Sequence, residues 1–418
     1  MQVNHIVARL EEAVSRELKE NILPFWIKHT VDEKHGGFVG RIDNANNVIP
    51  DADKSAILNA RILWSFSSLF NALGDQQHLK LASRAYDYII TNFQDPEYGG
   101  FYWTLDYTGH PVDARKHLYV QAFILYGLSE YQKATSDPKV LEQCTELFQL
   151  LENHCYDEKD FGYHEVFSPH WKALKDVSLG SDEQAARFTM NSHLHLMEAY
   201  TNLYKINPDE RLRNQLQFLV ELHFDKMYDP ASGHFYSFFL EEWQPQTGEY
   251  SYGHDIEAVW LLYDAITELN NPELADKINN IIGKVADLTL REGIDEQCGG
   301  IYNTGENGNV TDTDKQWWSQ VEGMLGFGYA WKVTGKPEYV QAIDDLWKFI
   351  SDNFIDRNNG EWYFRVRKDG SPYLQEDKVG PWKGPYHTVR GSLLFGDIAA
   401  VANAKTSEGQ RVDYQPKG

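Results

Sequence analysis

The chain has 418 residues, 42% of them hydrophobic, and its 62 acidic and 39 basic side chains give a formal net charge of −23. A surface this acidic repels phosphate groups and anionic lipids, which argues against nucleic acid and membrane partners. The three cysteines form no CxxC pair, the N-terminus has no signal-peptide pattern and no apolar run could span a membrane, so we expect a cytoplasmic protein without a disulfide framework.

A motif of Asp, then Gly, then an aromatic or bulky apolar residue recurs six times, at intervals of 61 to 72 residues. Its copies begin at Asp32, Asp95, Asp157, Asp229, Asp295 and Asp356. We interpret the copies as turns, because Asp and Gly are typical turn residues. Internal repeats of this length indicate a fold assembled from similar units.

Each copy of the motif lies between two helix patterns. Before the second copy, Leu79, Ala82 and Tyr86 step by three or four residues, which is typical of an amphipathic helix. After each copy come turn residues and then a more apolar stretch, such as residues 57–73, which indicates a helix covered on both sides. The pattern predicts an all-α fold, an (α/α)6 barrel of six helical hairpins. An open solenoid of stacked hairpins is the alternative, but no polar capping repeat is visible at either end.

No Pro- or Ser-rich linker divides the chain. We therefore predict one catalytic domain over residues 1–418, with a flexible tail over roughly the last 15 residues.

Polar or large aromatic side chains stand near the beginning of the predicted inner helices, where a purely structural core would be apolar. They are Arg61, Tyr119, Asn191, His195, His254, Glu257, Trp318, Glu322 and His387, with Trp382 just before the last helix. Because the inner helices of a closed barrel begin at the same end, we expect these side chains to meet in one cavity. One buried histidine is usually a hydrogen-bonded core residue, but repetition over the six helices favours a functional site.

Two neighbouring features have plainer interpretations. His193 and His195 form a His-x-His pair that would suit a metal ion, but no third ligand stands beside them at helical spacing, so we predict no metal and no cofactor. Asp255, in the first turn of its helix, is interpreted as an acid favoured by the helix dipole.

At these helix beginnings the sequence resembles the N-acylglucosamine 2-epimerase superfamily, and within it the cellobiose 2-epimerases. The resemblance covers all six repeats, and its most specific segments are His254-Asp255-Ile256-Glu257 and Trp382-Lys383-Gly384-Pro385-Tyr386-His387. It implies a barrel that interconverts glucose-type and mannose-type sugars at a reducing end. It also implies His254 and His387 as the two acid/base residues and His195 as a helper in ring opening or positioning. The substrate contacts that it implies are Arg61, Tyr119, Asn191, Glu257, Trp318 and Trp382.

The chemistry of such a reaction explains these residue types. Inversion at C2 requires an open sugar, removal of the C2 proton and its return to the other face, for which histidine is suited because it titrates near neutral pH. We expect Arg61 to stabilise the enediolate oxygen and Glu257, one turn from His254, to orient that imidazole. The expected partner is a small sugar, either a disaccharide or a monosaccharide, and the expected assembly is a monomer or homodimer.

Four alternatives remain open at this point. A mannose 2-epimerase acting on the free monosaccharide has most of the same motifs, and an aldose–ketose isomerase uses the same enediolate. An (α/α)6 glycoside hydrolase would need two carboxylates, for which Asp255, Glu257 and Glu322 are available, although paired histidines suit hydrolysis poorly. A non-catalytic helical-repeat binding module would not need paired titratable groups.

Overall fold

The computed structural model describes residues 2–174 and 186–411, with side chains for residues 3–174 and 186–400. Within these residues, outer and inner helices alternate along the chain. The outer helices are α1 (Gln2–Glu17) with its continuation α2 (Leu23–His29), α4 (Gln76–Tyr88), α6 (Pro138–His154), α8 (Glu210–Leu222), α10 (Pro272–Leu288) and α12 (Pro337–Asn353). The inner helices are α3 (Ala56–Leu73), α5 (Leu118–Thr135), α7 (Met190–Ile206), α9 (Tyr252–Leu269), α11 (Trp317–Thr334) and α13 (Tyr386–Arg411).

The inner helices form a closed ring. Each packs against the next along the chain, and α13 packs back against α3. The outer helices bury one face each, as α4 does with Ala82 and Ala85, whereas the first fourteen residues of α5 are all buried. The fold is therefore the predicted (α/α)6 barrel, and the open solenoid is wrong.

Short strands connect the hairpins around the end of the barrel where the inner helices begin. They are β1 (Lys54–Ser55), β2 (Thr104–Leu105), β3 (Pro111–Asp113), β4 (Lys116–His117), β5 (Tyr156–Asp157), β6 (Gly162–Tyr163), β7 (Val166–Phe167), β8 (Phe188–Thr189), β9 (Phe238–Phe239), β10 (Glu249–Ser251), β11 (Thr304–Glu306), β12 (Asn309–Asp312), β13 (Lys315–Gln316) and β14 (Arg365–Val366). The strand before an inner helix pairs antiparallel with a strand of the next hairpin, as in β1–β2, β4–β7, β8–β9, β10–β11 and β13–β14. An antiparallel bridge between Ile42 and Val379 joins the first hairpin to the last. The sequence did not predict these strands, because segments of two to four residues are too short to show an alternating pattern.

The repeated motif forms the predicted turns. In the second repeat, Asp95 Oδ1 accepts hydrogen bonds from the backbone N–H groups of Glu97 and Tyr98, and Gly99 and Gly100 both have a φ of 69°. The other carboxylate oxygen of Asp95 lies 2.6 Å from Nζ of the buried Lys116, two residues before α5. The same Asp–Lys clamp joins Lys54 to Asp32, Lys315 to Asp295 and Lys378 to Asp356. Each clamp ties a turn to the segment that leads into the following inner helix.

Two sequence expectations concern the chain as a whole. In the described part of the chain we find no helix with the length and apolar character needed to cross a membrane. The predicted C-terminal tail begins within α13, which extends to Arg411, and residues 412–418 lie outside the described residues.

Candidate active site

A cavity of about 580 Å³ opens at the end of the barrel where the inner helices begin. Nine of the ten side chains that the sequence predicted to meet in one cavity lie in its wall: Arg61, Tyr119, Asn191, His195, His254, Glu257, Trp318, Trp382 and His387. The tenth, Glu322, is buried and is not part of the wall. Most of them stand at the second or sixth position of an inner helix, four residues apart and therefore on one face. Their roles in binding and catalysis stay predictions.

The fourth position of α5, α7, α9 and α11 faces the preceding turn motif instead. There the side chain accepts a hydrogen bond from the backbone N–H that ends the preceding turn motif. The pairs are Gln121 with Phe101 (3.0 Å), His193 with Tyr163 (3.1 Å), Asp255 with Phe235 (2.8 Å) and Gln320 with Ile301 (2.7 Å). Not every polar residue near a helix beginning therefore faces the cavity, and Asp255 fastens a turn in addition to being a first-turn acid.

His387 is oriented by a carboxylate. Its Nδ1 lies 2.7 Å from Oε1 of Glu322, on the neighbouring helix α11. Nη2 of Arg390 donates to the same oxygen at 2.7 Å, and Trp260 Nε1 donates to the other oxygen at 3.0 Å. A carboxylate on Nδ1 favours the tautomer with its proton there, which leaves Nε2 of His387 as a free base.

His195 is oriented in the same way, by a carboxylate that is also bonded to Arg390. Its Nδ1 lies 2.8 Å from Oε2 of Glu198, one turn further along α7. The second oxygen of Glu198 accepts hydrogen bonds from Tyr386 and from Nη1 of Arg390. One buried guanidinium thus connects the carboxylates that orient two of the three histidines.

Glu257, the third carboxylate bonded to Arg390, does not have the orienting role that the sequence suggested. Glu257 does not orient His254, because its Oε1 accepts from Arg390 Nη2 at 2.7 Å. The imidazole of His254 has no hydrogen-bond partner among the described residues, and its ring lies 4.7 Å from that of Trp318. Glu257 therefore belongs to the Arg390 cluster, and something else fixes the position of His254.

Burial sets the charge of these groups. It lowers the pKa of His254 to about 3, and burial together with Arg390 and Arg61 lowers the pKa of His387 well below its ordinary value. Both imidazoles are therefore neutral at neutral pH and able to accept a proton. Burial and the neighbouring Glu322 raise the pKa of Glu257 well above its ordinary value, so this carboxyl group binds a proton far more readily than an exposed one.

The cluster resembles a metal site only in its ligand types. Ligand atoms of Glu257, Glu322 and His387 lie within 4.8 Å of one another. The guanidinium of Arg390, however, already donates to both carboxylates and supplies the positive charge between them. The His-x-His pair is no better suited, because Tyr163 N donates to Nε2 of His193 and its Nδ1 bonds to the carbonyl oxygen of Thr189.

The predicted oxyanion donor, Arg61, also lies in the cavity wall. Arg61 donates through Nη2 to the hydroxyl of Tyr119 at 3.0 Å and through Nη1 to the carbonyl oxygen of Trp382 at 2.7 Å. Its guanidinium lies 4.5 Å from the centre of the Phe123 ring. Arg61 is therefore held at the cavity wall before any ligand arrives.

Comparison with known proteins shows the family of the chain. The chain matches the N-acylglucosamine 2-epimerase (GlcNAc 2-epimerase) family over residues 36–391. It is 40% identical to a cellobiose 2-epimerase of Bacteroides fragilis, over 93% of this chain and 99% of that protein. A cellobiose 2-epimerase of Dictyoglomus turgidum is 35% identical, over 92% and 97% of the two chains. The structure of cellobiose 2-epimerase from Bacillus thermoamylovorans superposes with a TM-score of 0.89 at 35% identity, over 93% of this chain and 99% of that one.

Proposed function

Because the chain belongs to the N-acylglucosamine 2-epimerase family and is a sugar 2-epimerase, we propose that it inverts C2 of the reducing-end glucose or mannose unit of a β-linked disaccharide such as cellobiose. Two neutral imidazoles in the wall of one cavity support this proposal most directly. Trp318 lies between them on α11, and its ring is 4.7 Å from that of His254 and 5.7 Å from that of His387. The cavity volume lies within the range of ordinary small-molecule sites.

In the proposed reaction, the sugar first opens so that the C1 carbonyl makes the C2 proton acidic. His195, held through Nδ1 by Glu198, passes the proton of the anomeric hydroxyl to the ring oxygen. One of His254 and His387 then removes the C2 proton as a free base and becomes an imidazolium. The other imidazole takes up a proton from water and returns it to the opposite face of C2, and the first imidazolium releases its proton to water. Arg61 stabilises the negative oxygen of the enediolate intermediate, usually the larger contribution to such catalysis.

Isotope exchange at C2 tests this proposal. Cellobiose and, separately, mannose are incubated in D2O with the wild type and with the variants His254→Ala and His387→Ala, and the sugars are followed by NMR. We expect the wild type to form the C2 epimer of cellobiose with deuterium at C2, and both variants to fold but to lose turnover. His193→Gln is the matched control, because it changes a buried histidine outside the cavity.

The outcomes separate the alternatives. Faster turnover of mannose would make the protein a monosaccharide epimerase, a ketose product would indicate an aldose–ketose isomerase, and released glucose would indicate a hydrolase. Near-normal epimerisation by either alanine variant would show that the two-histidine mechanism is wrong.

A further inference from the structure

The fourth repeat departs from the first, second and fifth repeats at two positions. The first, second and fifth repeats place two glycines in the turn, and the second glycine of each pair, at Gly37, Gly100 and Gly300, has a positive φ. In the fourth repeat that position is His234, whose φ is not positive. The lysine that precedes α3, α5 and α11 by two residues is likewise replaced before α9, by Tyr250. The fourth repeat therefore has no lysine two residues before its inner helix that could pair with the Asp of its turn motif.

The two departures form a different clamp. The rings of His234 and Tyr250 stack with their centres 3.4 Å apart and their planes at 6°. Nδ1 of His234 lies 2.7 Å from Oδ2 of Asp255, while Oδ1 of Asp255 accepts the N–H of Phe235. His234 and Asp255 are both buried. Nε2 of His234 faces Glu292 at 3.4 Å.

This clamp fixes the turn of α9 that carries His254. Asp255 directly follows His254 in the chain, so both residues share the first turn of that helix. On the other side, Gly253 packs so closely against α11 that a Cβ there would lie 2.6 Å from Oγ of Ser319. The backbone on either side of His254 is thus fixed by tertiary contacts, although the imidazole itself has no hydrogen-bond partner among the described residues.

We propose that His234 and Tyr250 act through Asp255 as positioning residues for His254, an inference that rests on the proposed acid/base role of His254. The sixth repeat supports it. There Glu361 takes the place of the second glycine, and its carboxylate accepts from Lys383 Nζ at 2.5 Å, just before α13 and His387. In the two repeats where an ionisable residue replaces this glycine, the inner helix that follows is one that begins with a proposed acid/base histidine.

Three variants test the proposal with cellobiose as substrate. His234→Ala removes the imidazole, and we expect kcat to fall by about 10- to 100-fold with little change in KM, because a small displacement of a catalytic group has effects of this size. His234→Asn keeps an N–H donor near the place of Nδ1 and is expected to restore most of kcat. Gln121→Ala removes the side chain of α5 that accepts the N–H of Phe101, the equivalent turn contact in the second repeat. For this variant we expect lower thermal stability, with kcat within a few-fold of the wild type.

A second readout follows His254 itself. In protein labelled with 15N-histidine, the imidazole resonances of His254, assigned by their loss in His254→Ala, are expected to move in His234→Ala and to stay in place in Gln121→Ala. Wild-type kcat and unmoved resonances in His234→Ala would overturn the proposal. Equal losses of kcat in all three variants would also overturn it, since they would show an effect of stability alone. If His254→Ala retains epimerisation, the proposed mechanism itself is wrong and the inference fails with it.

Discussion

His193 and His195 are two residues apart, and the structure places them in different surroundings: only His195 lies in the cavity wall. His193 faces away from the cavity and accepts the backbone N–H of Tyr163. Glutamine occupies the same helix position in α5 and α11 and accepts the equivalent N–H there. We therefore expect His193→Gln to keep near-normal epimerase activity, whereas His195→Gln loses most of it.

His193→Gln also changes the way in which the free energy of unfolding depends on pH, because His193 binds protons differently in the folded and unfolded states. Burial lowers the pKa of His193 from 6.5 to about 3 in the folded protein. The unfolded chain therefore binds a proton at His193 below pH 6.5 while the folded protein does not, so this histidine destabilises the fold progressively as pH falls from 6.5 towards 3. Between pH 7.5 and pH 5 the loss is about 2 kcal/mol. Glutamine does not titrate, so the variant escapes this loss.

Urea denaturation of both proteins at pH 7.5 and pH 5 measures the difference. The variant also loses some ring packing against Trp243, but that loss is the same at both pH values and cancels. We expect the wild type to lose about 2 kcal/mol more than His193→Gln on acidification. Equal losses would refute the assignment of His193 as a buried neutral histidine. Loss of activity in a folded His193→Gln would refute its separation from the catalytic cavity.

The remaining predictions concern buried charges. Glu322→Gln keeps an acceptor for His387 but removes the charge that stabilises its protonated form, so kcat should fall by about 10²-fold or more with KM little changed; unchanged kcat would contradict this role. Arg390→Met leaves three buried carboxylates without their cation and should destabilise the protein by about 3–5 kcal/mol in urea denaturation; a loss below about 1 kcal/mol would contradict the cluster. Lys116→Met leaves the buried carboxylate of Asp95 without its cation and should lower the free energy of unfolding by a similar amount. The double variant Lys116→Met/Asp95→Asn should recover part of that loss. Dialysis against EDTA should leave kcat unchanged, and restoration of a lost activity by added metal would contradict this.

The sequence was sufficient for the barrel and for the location of the cavity. Six turn motifs at regular spacing required six similar units, and the shared beginning of the inner helices required their cavity-facing residues to converge. The sequence was not sufficient for the contacts between helices. Arg390 pairs with Glu198, 192 residues away, and no spacing within one helix indicates such a partner. The expectation that Glu257 orients His254 was wrong for the same reason: Glu257 stands one turn from His254, but a guanidinium from α13 binds it instead.

The inner helices carry cavity-wall residues and turn-fastening residues at different positions. Most of the residues in the cavity wall stand at the second or sixth position of an inner helix, whereas in α5, α7, α9 and α11 the fourth residue fastens the preceding turn. In α9 this separation fails, because the fastening residue Asp255 is the direct neighbour of His254. His387 and His195 are also held through Nδ1 by hydrogen bonds to Glu322 and Glu198. His254 has no such contact, so its turn requires a more rigid fastening, and the stacked pair of His234 and Tyr250 supplies one.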